Sequence, residues 1–208
     1  SMSRSLAVRR APFRQRLQRL STRVLVVLAM SATLPAFALE INGVKLADRT
    51  EVGGHELMLN GAGTRTKLLF KIYVGSLFLP QAAKDTDAVL AQSPRRIRMD
   101  LLRNLSADQL SDALLEGLKD NNSEAELVSV RGETDQMVTA MKGFGDVREG
   151  SVVTLDFVDG ATRIALDGKP KATIPGEAFN RALTRVWLGS KPAQEDLKKA
   201  MLGGAGGL

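Results

Sequence analysis

Residues 67–79 read KLLFKIYVGSLFL and form the longest run of strand-forming residues in the chain. In an extended backbone, successive side chains point to opposite faces of the strand. Both faces are apolar here: one carries Leu68, Phe70, Ile72 and Val74, and the other carries Leu69, Tyr73 and Leu77. This pattern predicts a central strand that is covered on both sides.

Shorter strands are predicted before and after this one. A Gly53-Gly54 turn separates two of them, and Asp159-Gly160, a pair typical of tight β-hairpins, joins two others. The predicted bounds are 39–46, 55–59, 95–103, 151–158, 161–166 and 171–174.

Five helices are predicted between and after these strands. Ser106 is a typical N-cap residue, and Phe179, Leu183 and Trp187 share one face of a helix that Gly189 ends. The predicted segments are 85–91, 106–121, 124–141, 179–187 and 192–202. Strands followed by helices, then a hairpin, then helices indicate an α+β fold, with an antiparallel β-sheet packed against a layer of α-helices.

The first 38 residues are predicted to be a signal peptide. Residues 1–23 hold seven arginines and no acidic residue, an apolar run follows at 24–30, and Ala36-Phe37-Ala38 resembles a cleavage site. A membrane anchor is the alternative, but the 15 apolar residues at 24–38 include a proline and fall short of the ~20 needed to span a bilayer. Ser1 before Met2 is interpreted as a remnant of cloning.

Removal of this segment changes the charge of the protein. The formal charge of +6 becomes −1 for 39–208, with 22 basic and 23 acidic residues, so no nucleic-acid partner is expected. We expect a periplasmic protein, secreted across the inner membrane and without a stable membrane anchor after cleavage. Its domain is placed at 39–202, followed by a flexible glycine-rich tail at 203–208. The export route, the oligomeric state and any protein partners stay open.

Few residues are candidates for chemistry. The chain has no cysteine and a single histidine, His55, which is interpreted as a surface or turn residue rather than a catalytic base. Gly61-Ala62-Gly63 is interpreted as a turn between strands, because a dinucleotide loop would need a glycine at position 66 and a following helix. The acidic residues are scattered, so no metal and no cofactor is expected.

Arg65 is the most informative polar residue. It follows the glycine segment directly, where a guanidinium group can bind a carboxylate or a phenolate at the end of an apolar pocket, or form an ion pair with a residue such as Asp100. Tyr73, the only tyrosine, comes eight residues later, so a regular strand would place both on one face. From the strand pattern alone, plain core packing is the favoured interpretation of Tyr73, and a role beside Arg65 is the alternative.

The sequence resembles the chalcone isomerase-like superfamily, and within it the bacterial exported (periplasmic) branch. The resemblance rests on three ordered segments that span nearly the whole chain after residue 38. They are LNGAGTR at 59–65, FKIYVGSLFL at 70–79, and IPGEAF at 174–179 with WLG at 187–189 and DLK at 196–198. It implies an antiparallel sheet and a layer of helices with a ligand cleft between them.

The resemblance also implies site residues and possible functions. The family's arginine corresponds to Arg65, two hydroxyl positions correspond to Ile72 and Val186, and a helix-loop tyrosine falls near Asn121 or Asn122. Plant members cyclise chalcones, plastid relatives bind fatty acids, and other members are noncatalytic helpers. The retained arginine and lost hydroxyls favour a binder of a small amphipathic ligand, such as a fatty acid, that is noncatalytic or weakly catalytic.

That ligand is expected to contact Arg65, Tyr73, Ile72 and Val186. The first alternative is an isomerase, an intramolecular lyase acting on an α,β-unsaturated carbonyl compound of chalcone type, with Arg65 as the one candidate catalytic residue. The second alternative is an envelope interaction module that docks through Arg96, Arg98 and Arg103. A solvated sheet edge is the favoured interpretation of those three arginines.

Overall fold

The computed structural model describes residues 37–204. The predicted signal peptide therefore lies outside the described residues except for Phe37 and Ala38, which begin the first strand. Gly203 and Gly204, the start of the predicted tail, donate backbone hydrogen bonds to Ala200 and Lys199 at the end of the last helix. The remainder of the tail, 205–208, is not described.

Seven antiparallel strands form one sheet in the order in which they occur along the chain. They are β3 (Arg49–Val52), β4 (His55–Lys67), β5 (Phe70–Leu79), β6 (Arg95–Leu101), β7 (Val152–Val158), β8 (Ala161–Leu166) and β9 (Lys169–Pro175). A separate hairpin precedes them, made of β1 (Phe37–Ile41) and β2 (Val44–Ala47).

Six helices are found in the described part of the chain. They are α1 (Thr86–Leu90), α2 (Ala107–Asn121), α3 (Glu124–Ser129), α4 (Arg131–Lys142), α5 (Glu177–Leu188) and α6 (Glu195–Met201). A complete capping box starts α2, in which Ser106 and Gln109 bond to each other's backbone N–H groups. None of the helices in 37–204 is both long and apolar enough to cross a membrane.

The main hydrophobic core lies between the sheet and the helices. Leu77, Met99 and Ile164 of the sheet pack there with Phe179 and Trp187 of α5. The other face of the sheet carries a smaller cluster, in which Ile41 and Leu46 of the β1–β2 hairpin cover Val74. β5 is therefore buried on both faces from Tyr73 onward, which confirms the prediction of a central strand and of the α+β fold.

The predicted strand over 67–79 is wrong at its start. The chain reverses at Leu68-Leu69, and Lys67 pairs with Phe70 across a two-residue turn. Lys67 ends β4 and Phe70 begins β5, so the two strands form one long hairpin. The prediction failed because this turn has none of the Gly, Asn, Asp or Pro residues that usually mark a reversal.

The predicted turn at Gly61-Ala62-Gly63 is also wrong, because all three residues lie inside β4. Helix α6 packs directly on this strand: a Cβ atom on Gly61 would lie 1.9 Å from the carbonyl oxygen of Ala200. Asn60 is the extra residue of a β-bulge, and its side chain bonds to Ala83 and to the carbonyl oxygen of Met201. The absence of a side chain at Gly61 therefore allows the close approach of α6, not of a ligand phosphate.

Two other predicted elements are divided in the structure. The strand predicted over 39–46 is the β1–β2 hairpin, which turns at Asn42-Gly43 with both residues at positive φ. The helix predicted over 124–141 breaks at Val130, where the backbone leaves helical geometry and the side chain is buried in the core. The core contact of Val130 outweighs the local preference for a continuous helix.

Candidate functional site

Arg65 lies near the end of β4, directly opposite Tyr73 of β5. The two share a face because they pair across the β4–β5 hairpin, and not because they lie eight residues apart in one strand. The half-buried Arg65 donates from Nη1 to the carbonyl oxygen of Thr66 at 2.8 Å and to Gln194 Oε1 at 3.4 Å. Its Nε and Nη2 groups form no hydrogen bond within 37–204, which leaves one edge of the guanidinium open.

Tyr73 is buried and accepts a hydrogen bond from Trp187, whose Nε1 lies 3.0 Å from the phenolic oxygen. Because the indole N–H can only donate, the hydroxyl hydrogen of Tyr73 remains available for an acceptor. Burial raises the pKa of Tyr73, while the bond from Trp187 and the positive charge of Arg65 both act to lower it. The side chain is thus a neutral phenol placed as a donor beside a cation.

Gln194, the residue before α6, connects this helix to the end of β4. Its Oε1 accepts from the backbone N–H of Thr66 at 2.8 Å, and its Nε2 donates to the carbonyl oxygen of Thr64 at 3.2 Å. Sequence reasoning missed this residue because nothing local marks it. Its position follows from the packing of α6 on β4, between segments almost 130 residues apart.

Ile72 and Val186 do not contribute polar groups to the site. Ile72 is the extra residue of a β-bulge opposite Arg65 and Thr66, and is half-buried against the main core. Val186 is buried in α5 and faces α2 so closely that a Cβ atom on Gly117 would lie 2.5 Å from it. Both residues are apolar members of the core that adjoins Tyr73.

Asn121 and Asn122 join helices rather than face a ligand. The Asn121 side chain bonds to both the N–H and the carbonyl of Lys191, beyond the end of α5. The Asn122 amide donates to the carbonyl oxygen of Ala182 and accepts from Arg185. These contacts use the side chains at the positions where the family resemblance placed a tyrosine.

The alternative partner of Arg65, Asp100, binds another arginine. Arg98 holds the Asp100 carboxylate with two hydrogen bonds of 2.8 Å, from Nε and from Nη2. No carboxylate of the described residues forms a salt bridge with Arg65. This cation is therefore free to take an external anion.

The three arginines considered as a docking surface are not at a sheet edge. β6, which carries Arg96 and Arg98, lies between β5 and β7, so the edge interpretation is wrong for them. Arg96 binds Asp156 with two hydrogen bonds of 2.7 Å. Arg103 instead stacks on Phe70, with its guanidinium carbon 4.4 Å from the ring centre.

Arg96 and Arg98 line a cavity of about 450 Å³ on the sheet face opposite the helices. Thr154, Asp156 and Arg163 complete its polar lining. The cavity lies away from Arg65 and Tyr73, which face the helices. Its arginines are already paired with carboxylates, so it offers a nearly neutral surface.

Arg95 is a second buried cation, in the core beneath α5. It bonds to Asn180 Oδ1 and to the carbonyl oxygen of Gln92, and its guanidinium carbon lies 4.5 Å from the centre of the Phe157 ring. Burial, together with the charge of Arg181, lowers the pKa of Arg95 to about 10. Since neutral acceptors take its donors, Arg95 connects α5 to the start of β6 and leaves no open edge.

Metal ligands are not grouped in the part of the chain that the structure describes, where no three His, Asp or Glu side chains converge. His55 is exposed at the first position of β4. The remaining arrangement is a guanidinium with a free edge, a phenol with a free hydrogen and apolar neighbours. These groups can bind a carboxylate or a phenolate through charge-assisted hydrogen bonds.

Comparisons with known proteins agree with this fold. The sequence profile described as "Chalcone isomerase-like" matches residues 38–203. The crystal structure of a fatty-acid binding protein from Arabidopsis thaliana superposes with a TM-score of 0.61 at 12% sequence identity, covering 80% of this chain and 96% of the plant chain. At that identity the likeness shows a shared fold. No curated protein matches the sequence.

Proposed function

The chain belongs to the chalcone isomerase-like family, and we propose that it binds the carboxylate of a fatty acid or a similar amphipathic molecule at Arg65 and Tyr73. The observation that carries the proposal is the pair of unused donors on one face of the β4–β5 hairpin. Arg65 offers Nε and Nη2, and Tyr73 offers its hydroxyl hydrogen. A carboxylate accepts from both at once.

The surroundings of the pair favour an apolar tail. Tyr73, Val186 and Trp187 belong to the main core, and Leu197 of α6 packs over the same strand. Entry of a ligand requires α6 to shift, because Gln194 fastens the start of that helix to β4 beside Arg65. The fatty-acid binding protein of similar fold supports this choice of ligand class.

Binding is proposed rather than isomerisation because of two side chains. The isomerases that this chain resembles use hydroxyl groups at the positions of Ile72 and Val186 to stabilise an enolate, whereas these two side chains offer only hydrocarbon. We further propose that the protein acts in the periplasm, as a member of the exported bacterial branch. The arginines, apolar run and cleavage-site pattern in 1–38 support this location.

The proposal is tested by purifying the protein from the periplasm and recording native mass spectra, followed by titration with a long-chain fatty acid. We expect a co-purified lipid, and a loss of affinity of about 10- to 100-fold in Arg65→Ala, because a charge-assisted hydrogen-bond pair is removed. Tyr73→Phe should lose about 3- to 10-fold.

Arg163→Ala is the matched control, since Arg163 is an arginine on the opposite face of the sheet. It should bind as the unchanged protein does. Absence of co-purified lipid together with equal affinity of the Arg65 and Arg163 variants would refute the proposal. Chalcone cyclisation above the buffer rate that is lost in Arg65→Ala would instead establish the isomerase alternative.

A further inference from the structure

The turn between β4 and β5 exposes apolar side chains to solvent. We call residues 67–71 the β4–β5 tip. Leu68 is 87% exposed, Leu69 is 94% exposed and Phe70 is 56% exposed, and the three are consecutive. Single exposed apolar residues are ordinary on protein surfaces, but a contiguous exposed group at one hairpin turn is typical of an interaction site.

The turn itself does not require these leucines. The four other tight hairpin turns use residue pairs suited to positive φ, namely Asn42-Gly43, Gly53-Gly54, Asp159-Gly160 and Asp167-Gly168. Leu68 has a φ of 55°, a left-handed conformation that is unfavourable for a bulky side chain. Leucine at this position opposes the local backbone preference, so its side chain must contribute something other than the turn.

Cations surround the tip on both faces of the hairpin. Lys67 pairs with Phe70, whereas Lys71 pairs with Thr66 on the opposite face and donates to Asn42 of the β1–β2 turn. Arg103 stacks on the Phe70 ring. Residues 64–73 include three basic residues and no acidic one. The apolar end is therefore flanked by positive charge.

Exposed apolar side chains flanked by basic residues favour a membrane surface over a protein as the partner of the tip. A specific protein interface needs a surface of roughly 800 Å² on each side, far more than the five residues of the tip can bury. A bilayer interface accepts a small apolar projection and attracts basic residues to anionic headgroups. We propose that the β4–β5 tip docks on membranes that contain anionic lipid, with Leu68 and Leu69 among the headgroups and Lys67, Lys71 and Arg103 facing the phosphates.

Membrane docking is a second property, separate from the proposed binding of a carboxylate, and either proposal can fail without the other. The docked tip places Arg65 close to the bilayer, because Arg65 lies two residues before Lys67 in β4. Docking itself rests on the exposure and the charge of the tip, whereas carboxylate binding rests on the unused donors of Arg65 and Tyr73.

Site-specific labelling tests the docking directly, because the full chain has no cysteine. We would attach an environment-sensitive fluorophore to Leu69→Cys and, as a control, to Val128→Cys, which replaces an exposed valine on α3. Vesicles of equimolar phosphatidylglycerol and phosphatidylcholine should shift the emission of the probe at position 69 to shorter wavelength. Lipid-borne quenchers should quench that probe alone, and pure phosphatidylcholine should cause little change.

Two variants separate the apolar contribution from the charge. Leu68→Gly with Leu69→Ser keeps a two-residue hairpin and gives position 68 the residue that its positive φ favours, so the fold should be retained. We expect a fluorophore attached at Phe70→Cys in this variant to remain in water when vesicles are added. The variant should partition into vesicles at least about tenfold more weakly than the protein with both leucines. Lys67→Gln with Lys71→Gln should weaken docking and reduce its salt dependence.

Lys169→Gln with Lys171→Gln is the matched charge control, since these exposed lysines follow another hairpin turn, Asp167-Gly168, which has no leucine. It should dock as the unchanged protein does. The proposal is overturned if the chain sediments with vesicles while the probe at position 69 stays in water, or if both lysine pairs have equal effects. A probe shift that needs no vesicles and grows with protein concentration would also overturn it, in favour of a second copy of the chain.

Discussion

Tyr73 is the only tyrosine of the chain, so its ionisation can be followed in the ultraviolet absorbance without interference from another phenol. Burial is the largest influence on its pKa and raises it above the ordinary value of 10.0. The folded state therefore holds the proton more tightly than the unfolded state does. This contribution to stability is complete below pH 10 and is lost as the pH rises through the pKa of the folded protein.

We predict that phenolate absorbance in the folded protein rises at a higher pH than in protein unfolded by guanidinium. Arg65→Ala should move the folded-state transition further up, because the nearby positive charge that favours the phenolate is removed. Arg163→Ala should leave it in place. Coincident transitions in the folded and unfolded protein would contradict the burial of this hydroxyl.

Individual residues were only partly predictable from the sequence. Arg65 could be singled out because it follows the glycine segment and corresponds to the family's arginine, and Tyr73 because it is the only tyrosine of the chain. The role of Gln194, and the bond from Trp187 to Tyr73, could not be foreseen, since they depend on how α5 and α6 lie over the sheet. Long-range packing of this kind leaves no periodic signal in a single sequence.

At the scale of elements, the close contact between β4 and α6 depends on Gly61, which has no side chain. Gly61 lies beneath the carbonyl oxygen of Ala200, and the neighbouring Asn60 binds the end of the same helix. The contact fixes α6, which in turn holds Gln194 at the end of β4. Gly61 therefore positions a helix whose first turn borders the proposed ligand site.

We predict that Gly61→Ala lowers the free energy of unfolding by about 3 kcal/mol, because the new methyl group forces α6 away from β4. Gly132→Ala is the control: it lies inside α4 with no atom within 4 Å of the added methyl, and it should stabilise by up to about 1 kcal/mol. Chemical denaturation measures both. Equal stability of the two variants would show that α6 does not need this close approach.

Element prediction succeeded where turn chemistry was conventional and failed where it was not. Asp159-Gly160 correctly marked the β7–β8 hairpin. Leu68-Leu69 concealed a reversal inside an apolar run, and a glycine-rich segment that looked like a turn proved to be strand. In both segments the residue types are not those that the local backbone favours. Leu68 and Leu69 form an exposed turn without turn-forming residues. Gly61 lies within a strand because a larger residue would collide with α6.

For the whole molecule, the predicted start of the mature chain has a structural consequence. Cleavage after Ala38 would remove the first two residues of β1, but the pairs Leu39–Leu46, Glu40–Lys45 and Ile41–Val44 would remain. Ile41 and Leu46, which cover Val74, would be kept as well. The β1–β2 hairpin should therefore survive processing.

We predict that protein recovered from the periplasm has an intact mass corresponding to residues 39–208. It should unfold in denaturant at the same midpoint as a chain that begins at Phe37, since the lost Phe37 is largely exposed. A lower midpoint for the shorter chain would show that Phe37 and Ala38 contribute to the fold.

The sheet is a meander in which every strand pairs with its neighbours in the chain, so its hairpins can form one after another as the chain is synthesised. Helix α6, the last element of the described chain, packs back onto β4. The hydrogen bonds of Gln194 to Arg65 and Thr66 can therefore form only after almost the whole domain has been synthesised. A chain interrupted before α6 would hold a nearly complete sheet in which Gln194 is not yet bonded to Thr64, Arg65 and Thr66, so closure of this end of β4 belongs to the last stage of folding.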